Sequence, residues 1–224
     1  MKVTFLGQAG LLFEKNGFKI MVDPYLSDSV RKINPKNYRR VPVDESFFEV
    51  KPDVVVITHN HLDHYDPETV KHFVTEESNV VVLAPESVWK EVRKKGGNNN
   101  YVMFNRRTVW TEGEITFTAV KAEHSDPYSI GVIIDDGEKK YYVTGDTLYN
   151  EEVFGDIPND IYALFLPVNG VGNNMNANDA ARFAKRINAE KNIPVHIGMF
   201  DELTADIFQC ENKFVINIYE EAEL

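Results

Sequence analysis

The chain has 224 residues, 43% of them hydrophobic and 26% charged, enough for a well-buried core and far from the composition of a disordered chain. A formal net charge of −11 argues against nucleic acid or an anionic membrane surface as partner. The one cysteine, Cys210, excludes an intrachain disulfide and fits a reducing compartment.

The start, MKVTFLGQAGLLFE, has no apolar h-region or small-residue cleavage site, so no signal peptide is expected. No apolar run of about 18 residues follows anywhere, so no membrane span is expected and the cytoplasm is the default setting. Residues 2–6 and 11–14 are predicted strands, with Gly7 and Gly10 at the turn. Asn16-Gly17 signals a hairpin into a strand at 18–22, which Asp23-Pro24 ends. Residues 25–50 are polar and irregular, a connection long enough to suggest function or flexibility. The β-branched run VVVIT at 54–58 reads as a strand buried on both faces.

Helices are predicted at 67–76, opened by Pro67 after Asp66, and at 86–95, stopped by Gly96-Gly97, with a strand at 80–84 between them. Residues 98–100 read as loop. Further strands are predicted at 108–110, 115–120, 130–135, 140–144 and 162–168, with Asp136-Gly137 as a hairpin turn. A helix at 178–187 has Asn176 or Ala177 near its N-cap, and Asn176 with Asp179 resembles a loose capping box. Short strands at 194–197 and 214–219 complete the reading. Strands precede helices in both halves, and no linker or low-complexity tract divides them. One domain over residues 1–224 is expected, built of two packed sheets flanked by helices.

Chemistry concentrates in THNHLDHYD, which places His59, His61, Asp63 and His64 within six residues of a chain that has only six histidines. His59 and His61, two apart, are expected to point the same way from an extended loop end. Neutral imidazole ligates zinc and similar ions, and Asp63 adds a carboxylate. One loop cannot complete two metal shells, so further ligands are sought elsewhere. His124 (KAEHSD), Asp146 (YYVTGDT) and His196 (IPVHIGMF) each lie at or just past a predicted strand end, where ligands collect in α/β sheets. His72 lies mid-helix and is expected on the surface or in packing.

H-x-H-x-D-H, a distant His, T-G-D and a last His together resemble the metallo-β-lactamase superfamily over nearly the whole chain. LPVNGVGNNMNANDAARFAKRI followed by IPVHIGMFDE, with the DPYLSDS turn, looks like the branch that contains L-ascorbate-6-phosphate lactonase. The resemblance implies a four-layer αβ/βα sandwich within the α/β class. It implies that His59, His61 and His124 hold one divalent ion, that Asp63, His64 and His196 hold a second, and that Asp146 bridges them. Zinc and manganese both suit such a shell. A metal-bridged hydroxide would then be the nucleophile, and Asp63 would pass a proton to the leaving alkoxide.

The substrate expected is a small, anionic lactone or cyclic ester, such as a phosphorylated sugar lactone. Candidate contacts are Asn169, Asn173 and Asn174 after the 162–168 strand, Arg31, Arg39 and Arg40 in the early loop, and one of Tyr65, Tyr128 and Tyr149. Asp23 is a candidate to orient a metal histidine.

Other readings stand beside this one. Related N-acylphosphatidylethanolamine-hydrolysing phospholipases share the histidine motif and the Asp-Pro turn, which keeps a phosphodiesterase open; no basic amphipathic helix for a membrane accompanies it. A non-catalytic metal-holding domain is the alternative from another class, against which stands the complete ligand set. Di-iron redox members typically carry Glu where His61 stands, which favours hydrolysis. Cys210 reads as a small buried hydrophobe.

Overall fold

The computed structural model describes residues 1–224. The chain opens with strands β1 (Lys2–Gly7), β2 (Gly10–Lys15) and β3 (Phe18–Val22). The long connection that follows holds a short helix, α1 (Ser29–Ile33), and a 3-10 turn at Glu45–Glu49. Next come β4 (Val54–Val56), α2 (Pro67–Phe73), β5 (Val81–Ala84), α3 (Glu86–Val92) and β6 (Asn100–Met103). The later part runs β7 (Val109–Glu112), β8 (Ile115–Lys121), β9 (Ile130–Asp135), β10 (Lys140–Val143) and β11 (Ile161–Pro167). Helix α4 (Ala177–Ile187), β12 (Lys191–Val195) and β13 (Glu221–Glu223) complete it.

Two compact units result. The first comprises Met1–Met103, Gly198–Glu202 and Ile216–Leu224. Its sheet has the order β13-β1-β2-β3-β4-β5-β6. Pairing is antiparallel from β13 to β3 and parallel from β3 to β6. The central Val54, Val55 and Val56 are fully buried, as a parallel strand covered on both faces requires. Helix α2 starts where it does because the Asp66 carboxylate accepts from the Glu68 and Thr69 amides while Pro67 occupies the first turn. Its Val70 and Phe73 pack with Val55, Ile57, Val82 and Val88 in one apolar cluster.

The second unit comprises Phe104–Ile197 and Leu203–Val215. Its sheet has the order β12-β11-β10-β9-β8-β7, parallel from β12 to β10 and antiparallel from β10 to β7. Helix α4 is capped by the Asn176 side chain, which accepts from the Asn178 and Asp179 amides and donates to the Asp179 carboxylate at 2.9 Å. It ends at Asn188 in the left-handed conformation, φ 58°. Ala180, Phe183, Ala184 and Ile187 recur at helical spacing and pack with Tyr142, Leu164 and Leu166.

Several elements differ from the sequence expectation. No strand forms over 214–219; Lys213 makes only an isolated bridge to Asn192, and Tyr219 sits at φ 65° in a turn closed by Asn217 and Glu220. The strand at the C-terminal end is β13, whose Glu-Ala-Glu composition carries no apolar signal; it forms because β1 offers an open edge. Residues 98–100 are not all loop, since Asn100 opens β6 opposite Val81. β12 begins at Lys191, ahead of the predicted 194–197, because a buried Asn192 pairs with Leu164. The predicted helices at 67–76 and 86–95 end earlier, at Phe73 and Val92, the second followed by a 3-10 turn at Arg93–Lys95.

Two tests of this packing follow. Gly97 has φ 74°, and a Cβ there would stand 2.4 Å from the Glu76 carbonyl oxygen, whereas Gly137 at φ 84° faces open space. In urea denaturation Gly97→Ala is expected to cost about 2–3 kcal/mol and Gly137→Ala about 1 kcal/mol. Asp156 receives a forked contact from Arg106, which holds its carboxyl below the usual range against the opposing effect of burial. A depressed carboxylate pKa stabilises the fold above the unfolded value of about 3.9, and that stability is lost as pH falls through the native value. Asp156→Asn should therefore lower stability at neutral pH, with the gap to wild type closing on acidification in a pH series of urea melts.

Candidate metal centre

In the first unit the motif loop leaves β4 and carries its donors before α2 begins. His59 and His64 are fully buried, with ring centroids 4.0 Å apart, and His61 meets His59 edge-on at 4.6 Å. Asp23 stands under the loop, buried, at φ 45°. One of its oxygens accepts from the Thr58 amide at 2.7 Å, and the other accepts from the Thr58 hydroxyl at 2.6 Å and faces His64 Nδ1 at 2.8 Å. Because the Thr58 proton goes to Asp23, Thr58 Oγ1 is the acceptor for His59 Nδ1, 3.0 Å away. Both imidazoles thus carry their proton on Nδ1 and keep the Nε2 lone pair for a ligand. Asp23, expected to orient a histidine, contacts His64 directly and His59 through Thr58.

Asp63 accepts from Gln8 Nε2 at 2.7 Å, and the same oxygen lies 3.8 Å from His64 Nε2. Gln8 escaped the sequence reading. A glutamine in a Gly-x-x-Gly turn looks like loop, yet it is buried and holds φ 54°. Its signal was that position, where a glycine or asparagine is the ordinary choice.

In the second unit the TGD motif ends β10 and presents Asp146, nearly buried. His196 Nε2 lies 3.3 Å from Asp146 Oδ2 and His124 Nε2 lies 3.9 Å from it. His196 follows β12 at φ 62°, a rare conformation for histidine that turns the chain as the strand ends.

The asparagines after β11 have contacts other than those expected of substrate-binding groups. Asn174 donates to Asp146 Oδ2 at 2.8 Å, Asn169 Nδ2 lies 3.0 Å from His196 Nδ1, and the Asn173 carbonyl faces His124 Nδ1 at 3.2 Å. The arginines of the early loop are likewise engaged with protein. Arg39 donates to the Tyr25 and Val41 carbonyls and to the Tyr219 hydroxyl. Arg40 donates to the Phe200 carbonyl and lies over the Tyr38 ring at 4.7 Å. Arg31 is exposed beside Asp28. These contacts tie the 25–50 connection down within its own unit.

Of the tyrosines, Tyr65 packs at the edge of the apolar cluster, and burial pushes its phenol up to about 12, so it stays protonated at neutral pH. Tyr149 packs on Phe154 and Phe183 and donates to Glu151, while Tyr128 is exposed. His72 is exposed with its ring against Phe48, at the surface as one of the two expected readings has it.

Donor chemistry tests whether a metal fits. Within each unit the donor atoms of His59 and His61, of Asp63 and His64, and of His124 and Asp146 lie within 4.8 Å of each other. Neutral imidazole and carboxylate are the ligands a zinc-like ion takes, and the residues fit it. Asp23→Ala strips three contacts from Thr58 and His64. It is expected to cost about 2–4 kcal/mol in denaturant melts and about 10–100-fold in zinc affinity by competition titration.

Comparison with known proteins gives the family and the fold. The model of the beta-lactamase superfamily domain matches residues 19–197. A UPF0173 metal-dependent hydrolase of Bacillus anthracis (strain A0248) is 28% identical over 228 residues, covering 95% of this chain and 92% of its own. Igni18, a novel metallo hydrolase from the hyperthermophilic archaeon Ignicoccus hospitalis KIN4/I, is similar with TM-score 0.73 and 21% identity, over 99% of this chain and 97% of its own. The structure of a possible metal-dependent hydrolase from Veillonella parvula DSM 2008 gives TM-score 0.80 and 18% identity, over 100% of this chain and 99% of its own. At those identities the two structures speak for the fold, which is the expected α/β metallo-β-lactamase fold with two mixed sheets. The family is broader than the lactonase branch that the asparagine-rich motif resembles. With the family match running from β3 to the end of the His196 strand, the chain belongs to the beta-lactamase superfamily.

Proposed function

We propose that this chain is a metal-dependent hydrolase that opens a lactone or similar cyclic ester, with a small anionic substrate such as a phosphorylated sugar lactone. The observation that carries the hydrolase reading is the ordered donor set. Buried imidazoles have their Nδ1 protons directed at Thr58 and Asp23, which leaves Nε2 for a cation. His61 in the motif, in place of the carboxylate of redox relatives, supports hydrolysis. The UPF0173 relatives named metal-dependent hydrolases support the same class. The lactone reading rests on the stretch LPVNGVGNNMNANDA and the DPYLSDS turn.

In this reading His59, His61 and His124 hold one divalent ion, Asp63, His64 and His196 a second, and Asp146 is shared. Residues 1–224 act as one catalytic domain in a cytoplasmic setting, without nucleic acid or membrane partners. No helix is long and apolar enough to cross a membrane. Zinc or manganese bound there would supply an acidified water and an electrophile for the scissile carbonyl.

The chain's own groups do the rest. Asp23, through Thr58 and directly, fixes His59 and His64. Gln8 donates to Asp63 and fixes its carboxylate, which would pass a proton to the leaving alkoxide. Asn173, with its side chain exposed at the loop beyond β11, is the asparagine best placed to meet substrate hydroxyls.

The test loads metal-free protein separately with zinc and manganese. Acid release is followed by pH-stat on a lactone panel that includes phosphorylated sugar lactones, with bis-p-nitrophenyl phosphate in parallel and a His59→Ala control. Metal-dependent lactone opening that the control lacks is expected, and Asp146→Ala should lose most activity and one metal. Cleavage of the aryl phosphate without lactone opening would make the chain a phosphodiesterase. Metal uptake with no turnover on either would make it a binding domain. Full activity of Asp146→Ala with both metals retained would remove Asp146 from the centre.

A further inference from the structure

Three candidate ligands of the second unit come from distant points in sequence, yet a six-residue span contacts all of them. The Asn173 carbonyl faces His124 Nδ1 at 3.2 Å, Asn174 Nδ2 donates to Asp146 Oδ2 at 2.8 Å, and the Asn169 side chain lies 3.0 Å from His196 Nδ1. We propose that residues 169–176 form a positioning clamp, in which Asn169, the Asn173 carbonyl and Asn174 orient His196, His124 and Asp146 and so set the affinity for the metal. This inference rests on the metal-dependent reading above.

The clamp is built to hold its shape. Asn169 and Asn176 pair as an antiparallel bridge, and the Gly170 amide donates to the Met175 carbonyl at 3.0 Å. Between them Gly170, Gly172 and Asn173 take φ of 69°, 71° and 63°, a left-handed sequence suited to glycine and asparagine. A Cβ on Gly170 would stand 3.0 Å from the Cβ of Asn176, so the close pairing needs glycine there. Met175 is buried in the core and its amide donates to the Thr147 carbonyl at 3.0 Å, which ties the loop to the TGD motif.

Each contact has a definite chemical sense. A carbonyl only accepts, so Asn173 O selects the His124 tautomer with its proton on Nδ1, and Nε2, on the Asp146 side, keeps its lone pair. Asn174 cannot turn over without loss, because its Oδ1 accepts from the Thr147 amide at 3.1 Å while its Nδ2 serves Asp146. Asn169 is different. Its Oδ1 accepts from the exposed Val171 amide at 3.3 Å, and its Nδ2 faces His196 Nδ1. Once His196 gives Nε2 to a cation, its Nδ1 carries the proton and needs an acceptor. Rotation of the Asn169 amide supplies Oδ1, and the Val171 amide turns to water.

Zinc titration of the metal-free protein against a competing chelator tests this, with metal content read directly. Asn169→Ala and Asn174→Ala are each expected to weaken one zinc by about 10–100-fold. Asn169→Asp, which keeps an acceptor for the ring N–H, should bind zinc at least as tightly as wild type. Asn173→Gly keeps both carbonyl and backbone conformation and should bind normally. Nitrogen-15 spectra of the histidines should show zinc moving the His196 proton to Nδ1 in wild type. Unchanged zinc affinity in Asn169→Ala, or equal losses in Asn169→Ala and Asn169→Asp, would overturn the clamp while leaving the metal-dependent reading intact. A wild-type chain that takes up no zinc would overturn both.

Discussion

A neutral imidazole offers one nitrogen to a ligand only when the other holds the proton, and buried groups must meet that condition here. Asp23 meets it for His59 and His64. Its carboxylate gathers the Thr58 amide, the Thr58 hydroxyl and His64 Nδ1, and through the hydroxyl it orders His59 as well. A buried carboxylate with fewer partners would be costly, since each missing hydrogen bond leaves its desolvation uncompensated. The strand pairing of β3 with β4 brings Asp23 beside Thr58, so the sheet and the ligand geometry are one requirement.

The same logic recurs in the second unit with different chemistry. There neutral groups do the orienting, a backbone carbonyl for His124 and amides for Asp146 and His196. Each donor segment leaves the end of a strand, where the ladder ends and backbone groups become available to side chains and ligands. Left-handed residues mark these exits. Asp23, Gln8, Asn173 and His196 all hold positive φ, a conformation that costs of order 1–3 kcal/mol for a non-glycine residue.

Charge is arranged so that the cations serve the scaffold. Arg39 and Arg40 close the connection before β4, and Arg106 and Arg107 converge on Asp156. These guanidiniums meet carbonyls and carboxylates of the chain itself, and the net charge of −11 disfavours a polyanion.

The sequence by itself determined the donors and most of the strands. H-x-H-x-D-H, TGD and two further histidines are chemical groups whose identity needs no folding, and VVVIT or YALFLPV reads as strand because buried sheets demand continuous apolar runs. Only the tertiary structure decided what surrounds those donors. Gln8 on Asp63, Thr58 between Asp23 and His59, and the asparagines on His124, Asp146 and His196 are contacts between residues far apart in the chain or hidden in turns. It also decided β13 and the start of β12, where Glu221 and Asn192 are strand residues because a neighbouring edge offers hydrogen bonds. Local pattern records what a residue prefers, and pairing across the fold records what its partners require.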